Sequence, residues 1–379
     1  MYDYQKDRKF FAQTAEEIKD LAARELDGLG AGGIETAHRG VYFNADNEAL
    51  YRANYCSRLV SRILAPLISF ECVSTDQLYE KASAVNWTDL ISRENTFAIF
   101  SNVSNSAITN SHFASLRLKD AIVDTFREKT GERPGIDPEA PDLWLNLHIR
   151  KDKAVISLDT SGGPLHKRGY RKDSVEAPMQ ETVAAAIIAF SEWDGSVPLY
   201  DPMCGSGTLL CEALMHYCRI PSGIFRRSFG FEFLPDYDNS LWTKAKKEID
   251  RQVRELPEGH ISGSDISSKA VNISKTNLKD LPQGGKLKLD MLDLRKSGGL
   301  TDGVIVTNPP YGIRMRKMRE LDKLYKSLGD FLKQKCKGSS AYIYFGEREF
   351  IKKIGLKPAW KKPLKTGGLD GRLVKYELF

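Results

Sequence analysis

Between Ala15 and Leu26, apolar residues recur every three or four positions. This period predicts a helix, with Thr14 as its N-cap and Gly28 and Gly30 at its end. A strand is expected from Ile34 to Phe43. Arg58 to Leu64 alternates imperfectly, as a half-buried strand does. A helix should follow Ser74, a strand should cover Thr96 to Phe100, and a long helix should run from Ser111 to Lys129. Asp142 to Ile149 alternates strictly. Lys153 to Leu158 suits an antiparallel partner across the short Lys151-Asp152 turn.

After Pro178 the rhythm changes to alternating strands and helices. Strands are expected at Val197 to Tyr200, His260 to Asp265, Leu287 to Asp290, Val304 to Thr307 and Ala341 to Phe345. Helices are expected at Gln180 to Phe190, from Leu209, at Ser267 to Leu278 and at Met318 to Lys335. This βα order predicts a Rossmann-like, doubly wound and mostly parallel sheet. The Gly367-Gly368 turn and Leu373 to Leu378 suggest a closing antiparallel strand. The first half reads instead as an α+β module. Between them, residues 161–177 form a basic connector in which His166, Lys167, Arg168, Arg171 and Lys172 surround Tyr170. Arginine and lysine there suit phosphates, and Tyr170 suits a stacked base.

Composition narrows the class. The chain has 379 residues, enough for two or three domains, with 41% hydrophobic and 28% charged residues. No apolar run approaches the ~18 residues of a membrane span. Residues 1–9 lack the apolar core of a signal peptide, so a cytoplasmic protein without a membrane partner is expected. The six cysteines include no Cys-x-x-Cys pair, and no histidine pair has zinc-finger spacing. Free buried thiols and no metal are therefore expected. The net charge of +6 is compatible with a nucleic-acid partner.

Two stretches carry candidate chemistry. The first is Asp201-Pro-Met-Cys204-Gly205-Ser-Gly207-Thr208, at a strand-to-helix turn. Its glycines allow close backbone approach to a ligand, and the helix start offers N–H groups to an anion. It has neither the P-loop lysine nor the third glycine of a dinucleotide site. A ligand with a carboxylate and a nucleoside fits better, namely S-adenosylmethionine (SAM). Asp265, at the end of the next strand, would accept the ribose hydroxyls. Its distance from Asp201 implies an insertion at about residues 218–258. Asp290 is the preferred acceptor for the adenine amino group, with Asp293 close enough to compete. Glu181 completes the candidate cofactor set.

The second stretch is Asn308-Pro309-Pro310-Tyr311-Gly312, after the apolar strand Val304 to Thr307. The Asn308 side-chain carbonyl and the Pro309 main-chain carbonyl can accept hydrogen bonds from an exocyclic amine, aiming its lone pair and stabilising developing charge. The prolines stiffen the loop, and Tyr311 can stack on the base. The candidate RNA-binding residues are Lys167, Arg168, Tyr170, Arg171 and Arg314.

These motifs, together with Leu165-His-Lys-Arg-Gly-Tyr-Arg-Lys172 and Ala177-Pro-Met-Gln-Glu181, resemble the bacterial THUMP-domain RNA methyltransferases that make N2-methylguanosine, closest to the 23S ribosomal RNA type. The stretch Phe231 to Trp242 resembles an insertion of the ribosomal RNA branch. The resemblance implies a ferredoxin-like piece at 1–48, an RNA-binding THUMP domain at 49–160 and a SAM-dependent methyltransferase domain at 178–379. It further implies 23S rRNA, or an assembly intermediate, as partner. A tRNA guanine-N2 methyltransferase, an adenine-N6 methyltransferase and a non-catalytic RNA-binding assembly factor are the rival expectations.

Overall fold

The structure is a computed structural model that describes residues 1–174, 178–311, 318–366 and 369–379. Ala177, Gly312, Arg314 and the Gly367-Gly368 turn lie outside them. The chain divides into two compact units, Met1–Leu165 with Arg226–Glu248, and His166–Phe225 with Ile249–Phe379.

The first unit contains helix α1 (Asp3–Asp7), strand β1 (Lys9–Gln13), α2 (Lys19–Gly28), β2 (Gly32–Ala37), β3 (Gly40–Asn44), α3 (Asn47–Cys56) and β4 (Arg62–Glu71). It continues with α4 (Thr75–Ser83), β5 (Thr96–Ser104), α5 (Ser111–Thr130), β6 (Gly135–Ile136), β7 (Leu143–Arg150) and β8 (Lys153–Asp159). The strands form one sheet in the order β2-β3-β1-β4-β8-β7-β5-β6. The β7–β8 hairpin pairs antiparallel, with Arg150 opposite Lys153.

Two expectations for this unit are corrected. Thr14 is no N-cap: its buried hydroxyl donates to the Leu59 carbonyl at 2.8 Å, and a 3₁₀ turn (Glu16–Ile18) precedes α2. The hydroxyl is turned to a distant carbonyl acceptor rather than to the N–H donors of the helix start. The single strand expected at 34–43 is two strands, because Arg39 takes a left-handed φ of 55° and turns the chain back.

The insertion foreseen near 218–258 leaves the methyltransferase sequence to join this first unit. Phe229, Phe231 and Trp242 pack with Tyr51 and Tyr55, the ring centroids lying 4.5 Å apart for Tyr51 and Phe231. Aromatic pairs of this kind contribute about 0.5–1.5 kcal/mol each beyond burial. Asp236 adds polar anchors, accepting from the Tyr4 hydroxyl at 2.5 Å and pairing with Arg8 at 2.6 Å.

The second unit contains α6 (Glu181–Ser191), β9 (Leu199–Asp201) and α7 (Thr208–Cys218); then, after α8 (Asn239–Asp250), most of which belongs to the insertion, come β10 (Ile261–Asp265), α9 (Ser268–Leu278) and β11 (Lys288–Met291). It closes with β12 (Val304–Thr307), α10 (Met318–Lys335), β13 (Ser340–Phe345), β14 (Trp360–Pro363) and β15 (Arg372–Glu377). The sheet order is β11-β10-β9-β12-β13-β15-β14. Along that order the strands from β11 to β13 are parallel, and β15 is antiparallel to both β13 and β14. β9 lies between β10 and β12, so strand order reverses there. In such sheets ligands bind past the carboxyl ends of the strands at this switch point. Asp201 ends β9 and Thr307 ends β12. The wall beside them is firm: Tyr325, Leu328 and Leu332 of α10 are fully buried against Ile343 and Phe345. Tyr325 stacks on Phe350 with centroids 4.4 Å apart.

Candidate active site

A cavity of about 940 Å³ opens at the switch point. Asp201, Cys204, Gly205, Thr208, Asp265, Asn308, Pro309, Pro310 and Tyr311 all line it, so both candidate motifs meet on one site. Its volume is at the upper end for small-ligand sites, enough for a nucleoside cofactor beside a second group.

The glycine turn is shaped from within. Gly207 has φ 78° and sits where a Cβ would lie 2.9 Å from the Ser274 hydroxyl. It is absent from the cavity wall, so its role is to bend the chain into α7 rather than to touch a ligand. Asp201 is buried and accepts from the Met203 N–H at 3.1 Å. Burial pushes its carboxyl up to about 7, opposed by the Met203 hydrogen bond. Burial likewise pushes the Cys204 thiol well up. Such a thiol is a poor nucleophile, and Cys204 packs 3.7 Å from the Ser274 hydroxyl.

Asp265 is the best-formed of the candidate cofactor residues. One carboxylate oxygen accepts from the Gly205 N–H at 3.0 Å and the other from the Ser267 N–H at 2.9 Å. Each oxygen keeps a further lone pair for a ribose hydroxyl. Ile266 follows it on the cavity wall, 66% exposed, an apolar platform for a planar base. Leu292 and Leu294 line the same region. Ile266 was missed from sequence, although an apolar residue directly after a strand-end acid was a legible signal. These residues fit SAM. When bound, it supplies an electrophilic methyl on a sulfonium. Asp265→Asn should weaken SAM binding about 10- to 100-fold, the worth of one or two charge-assisted hydrogen bonds. Titration calorimetry checks this, and an unchanged dissociation constant would remove Asp265 from the cofactor site.

Several predicted residues are placed elsewhere. Asp290 does not line the cavity, whereas Asp293 does. Leu289 points into the core, so its neighbours Lys288 and Asp290 share the opposite, exposed face, 3.8 Å apart. Asp293 is fixed by Arg295, whose hydrogen bonds hold its carboxyl down at about 2. Glu181 is also off the cavity wall. It opens α6, where the helix dipole favours an acid, and accepts from Arg171 at 2.8 Å.

The basic connector is corrected most. Arg168 and Tyr170 are each 1% exposed. Both donate to one oxygen of buried Glu212, at 3.3 Å and 3.0 Å. Neither is available to an RNA. Arg171 is held inward by Glu181, the Met179 carbonyl and the Thr208 hydroxyl. Lys167 alone of the described set is exposed.

At the candidate catalytic stretch, Asn308 Oδ1 is shielded from water and has no hydrogen-bond partner among the described residues. An orphaned acceptor costs about 1–3 kcal/mol, which an incoming N–H donor would recover. Burial raises the Tyr311 phenol, opposed by a hydrogen bond from the Asn308 side chain. The Tyr311 ring lies edge-on to Tyr344 at 6.0 Å and fills the space a Cβ on Gly346 would need. The Tyr325 hydroxyl donates to the Pro310 carbonyl at 3.2 Å, pinning the loop to α10. From α10, Glu320, Lys323, Leu324 and Ser327 also line the cavity. Among the described residues no cluster of histidine, cysteine or acid could hold a metal ion, and no helix is long and apolar enough to cross a membrane.

Comparison with known proteins agrees with this geometry. The family model for the RMKL-like methyltransferase domain matches residues 168–375, the THUMP domain matches 72–159, and the RlmL ferredoxin-like domain matches 9–64. A Synechocystis protein provisionally named RNA methyltransferase slr0064 is 36% identical across 98% of this chain and 97% of its own. Ribosomal RNA large subunit methyltransferase K/L of Photobacterium profundum is 36% identical over 97% of this chain, which spans only 52% of that protein. The methyltransferase SMU.472, whose function was assigned provisionally and which was solved with SAH, superposes with a TM-score of 0.86 at 29% identity, covering 98% of both chains. The chain therefore belongs to the RMKL-like methyltransferases, a SAM-dependent family, and carries that methyltransferase domain behind RlmL-type ferredoxin-like and THUMP domains.

Proposed function

We propose that this protein transfers the methyl of SAM to the exocyclic N2 amine of a guanine in 23S ribosomal RNA. The observation that carries the chemistry is the orphaned Asn308 Oδ1 in the same cavity that Asp265 lines. An amide acceptor suits an amine target: it takes an N–H hydrogen bond and leaves the lone pair facing the sulfonium. No strong base is needed, since the methylated ammonium product sheds its proton readily. The THUMP domain and the relatives named as RNA or ribosomal RNA methyltransferases support RNA as substrate. Residues of the first unit, the exposed Lys167 and the Arg314 segment are the proposed means of holding it.

Incubation with SAM and ribosomal RNA lacking the modification, followed by mass-spectrometric mapping, tests the reading. A single N2-methylguanosine in the large-subunit RNA is expected. Methyl on adenine N6, or on tRNA only, would overturn it. SAM binding without turnover on any RNA would favour a non-catalytic assembly factor.

A further inference from the structure

We propose that the α10 face carrying Glu320 and Lys323 reads the Watson–Crick edge of the target base and makes the site select guanine over adenine. The inference rests on the guanine-N2 reading and deepens it. Glu320 and Lys323 both line the cavity that Asn308 lines, and both are exposed. Neither has an ion-pair or hydrogen-bond partner among the described residues. They are three apart on one helix, so their side chains project from one face, with Leu324 and Ser327 following at helical spacing. α10 is itself anchored by Tyr325, which stacks on Phe350 and donates to the Pro310 carbonyl of the candidate catalytic loop. The face is therefore tied directly to the loop that holds the amine.

The chemistry of the pair matches one base. Along its edge guanine offers the N2 amine, then the N1–H donor, then the O6 acceptor. With N2 held at Asn308, a carboxylate next to it accepts from N1–H and an ammonium beyond donates to O6. Adenine presented by its N6 amine offers an N1 lone pair instead of N1–H. A carboxylate facing that lone pair is repulsive, and it has no hydrogen to accept. The motif Asn308 to Tyr311 is indifferent to this difference, since it touches only the amine. Discrimination has to come from elsewhere in the cavity, and α10 supplies charges of both signs there that have no partner among the described residues.

The test uses 2-aminopurine, which keeps the N2 amine but has an acceptor at N1 and no O6. Mapping with wild-type enzyme comes first. If no N2-methylguanosine forms, the function reading fails before any variant is compared. Synthetic RNA spanning the mapped site is then made with guanine or 2-aminopurine at the target. Wild type should favour guanine in kcat/KM by about 10²-fold, the discrimination of two base-edge contacts. Glu320→Gln and Lys323→Ala should each slow guanine methylation and shrink that preference by about tenfold, with SAM affinity changed less than about twofold. Both side chains are exposed, so folding is not at stake. A preference unchanged in both variants would overturn the α10 assignment alone. So would a loss of SAM affinity large enough to explain the whole rate effect, which would make this wall part of the cofactor site.

Discussion

Asn308→Ala is expected to lower kcat by about 10²- to 10³-fold, as loss of one preorganised partner to developing charge does elsewhere. The effect should appear in kcat and not in binding. The Asn308 carbonyl takes its full value only when the amine begins to acquire positive charge, so the interaction is stronger in the transition state than in the bound ground state. KM for the RNA and the dissociation constant for SAM should both stay within about threefold. Folding should be untouched or slightly improved, because Ala removes the buried oxygen that has no partner. Tyr311→Phe separates orientation from stacking. It deletes the phenol that the Asn308 amide contacts but keeps the ring against Tyr344, and should cost about tenfold in kcat, the worth of one neutral hydrogen bond. Single-turnover methylation with enzyme in excess measures both. A kcat for Asn308→Ala equal to that of wild type would remove the amide from the chemistry.

The site was legible wherever its signal was local. The motif at Asp201 to Thr208 announces itself through strand-end chemistry and two glycines, and the one at Asn308 to Tyr311 through a buried strand running into prolines. Each motif sits at a strand end, and a parallel sheet gathers strand ends on one edge. That is why two stretches about a hundred residues apart in sequence could be assigned to one cavity. What stayed hidden depended on distant partners. Arg168 and Tyr170 look like solvated cation and aromatic until Glu212, buried on α7, is placed beneath them. Arg171 looks the same until Glu181 closes on it. Asp290 and Asp293 cannot be ranked without the pleat of β11, which turns one away and lets the following loop present the other. The insertion's placement was also illegible. Its aromatic residues signal burial but not which surface they cover, and they complete the first unit's core beside Tyr51 and Tyr55. Glu320 and Lys323 hid for the opposite reason, since on an amphipathic helix charged residues read as an ordinary solvent face.

Arg168→Met should destabilise the fold by about 3–5 kcal/mol, more than any other single substitution proposed above, because it strands the Glu212 carboxylate inside the protein. That is a large share of the roughly 5–15 kcal/mol that holds a domain folded. Both side chains of the pair are 0% exposed, so salt should not screen it. The physical source is the stranded charge and not the attraction itself. The cost should therefore fall when the carboxylate is removed as well: Arg168→Met with Glu212→Leu and Tyr170→Phe, which takes away all three polar ends together, should recover at least about 1–3 kcal/mol relative to the sum of the single changes. Urea unfolding of each variant, followed by tryptophan fluorescence, gives the midpoints. The same series separates the two roles open to the connector. If Arg168 gripped RNA phosphates, Arg168→Met would weaken RNA binding and flatten its salt dependence while stability stayed constant. With Arg168 buried against Glu212, the expected result is the reverse: a lowered unfolding midpoint, and an RNA affinity that matches wild type at temperatures where the variant remains folded.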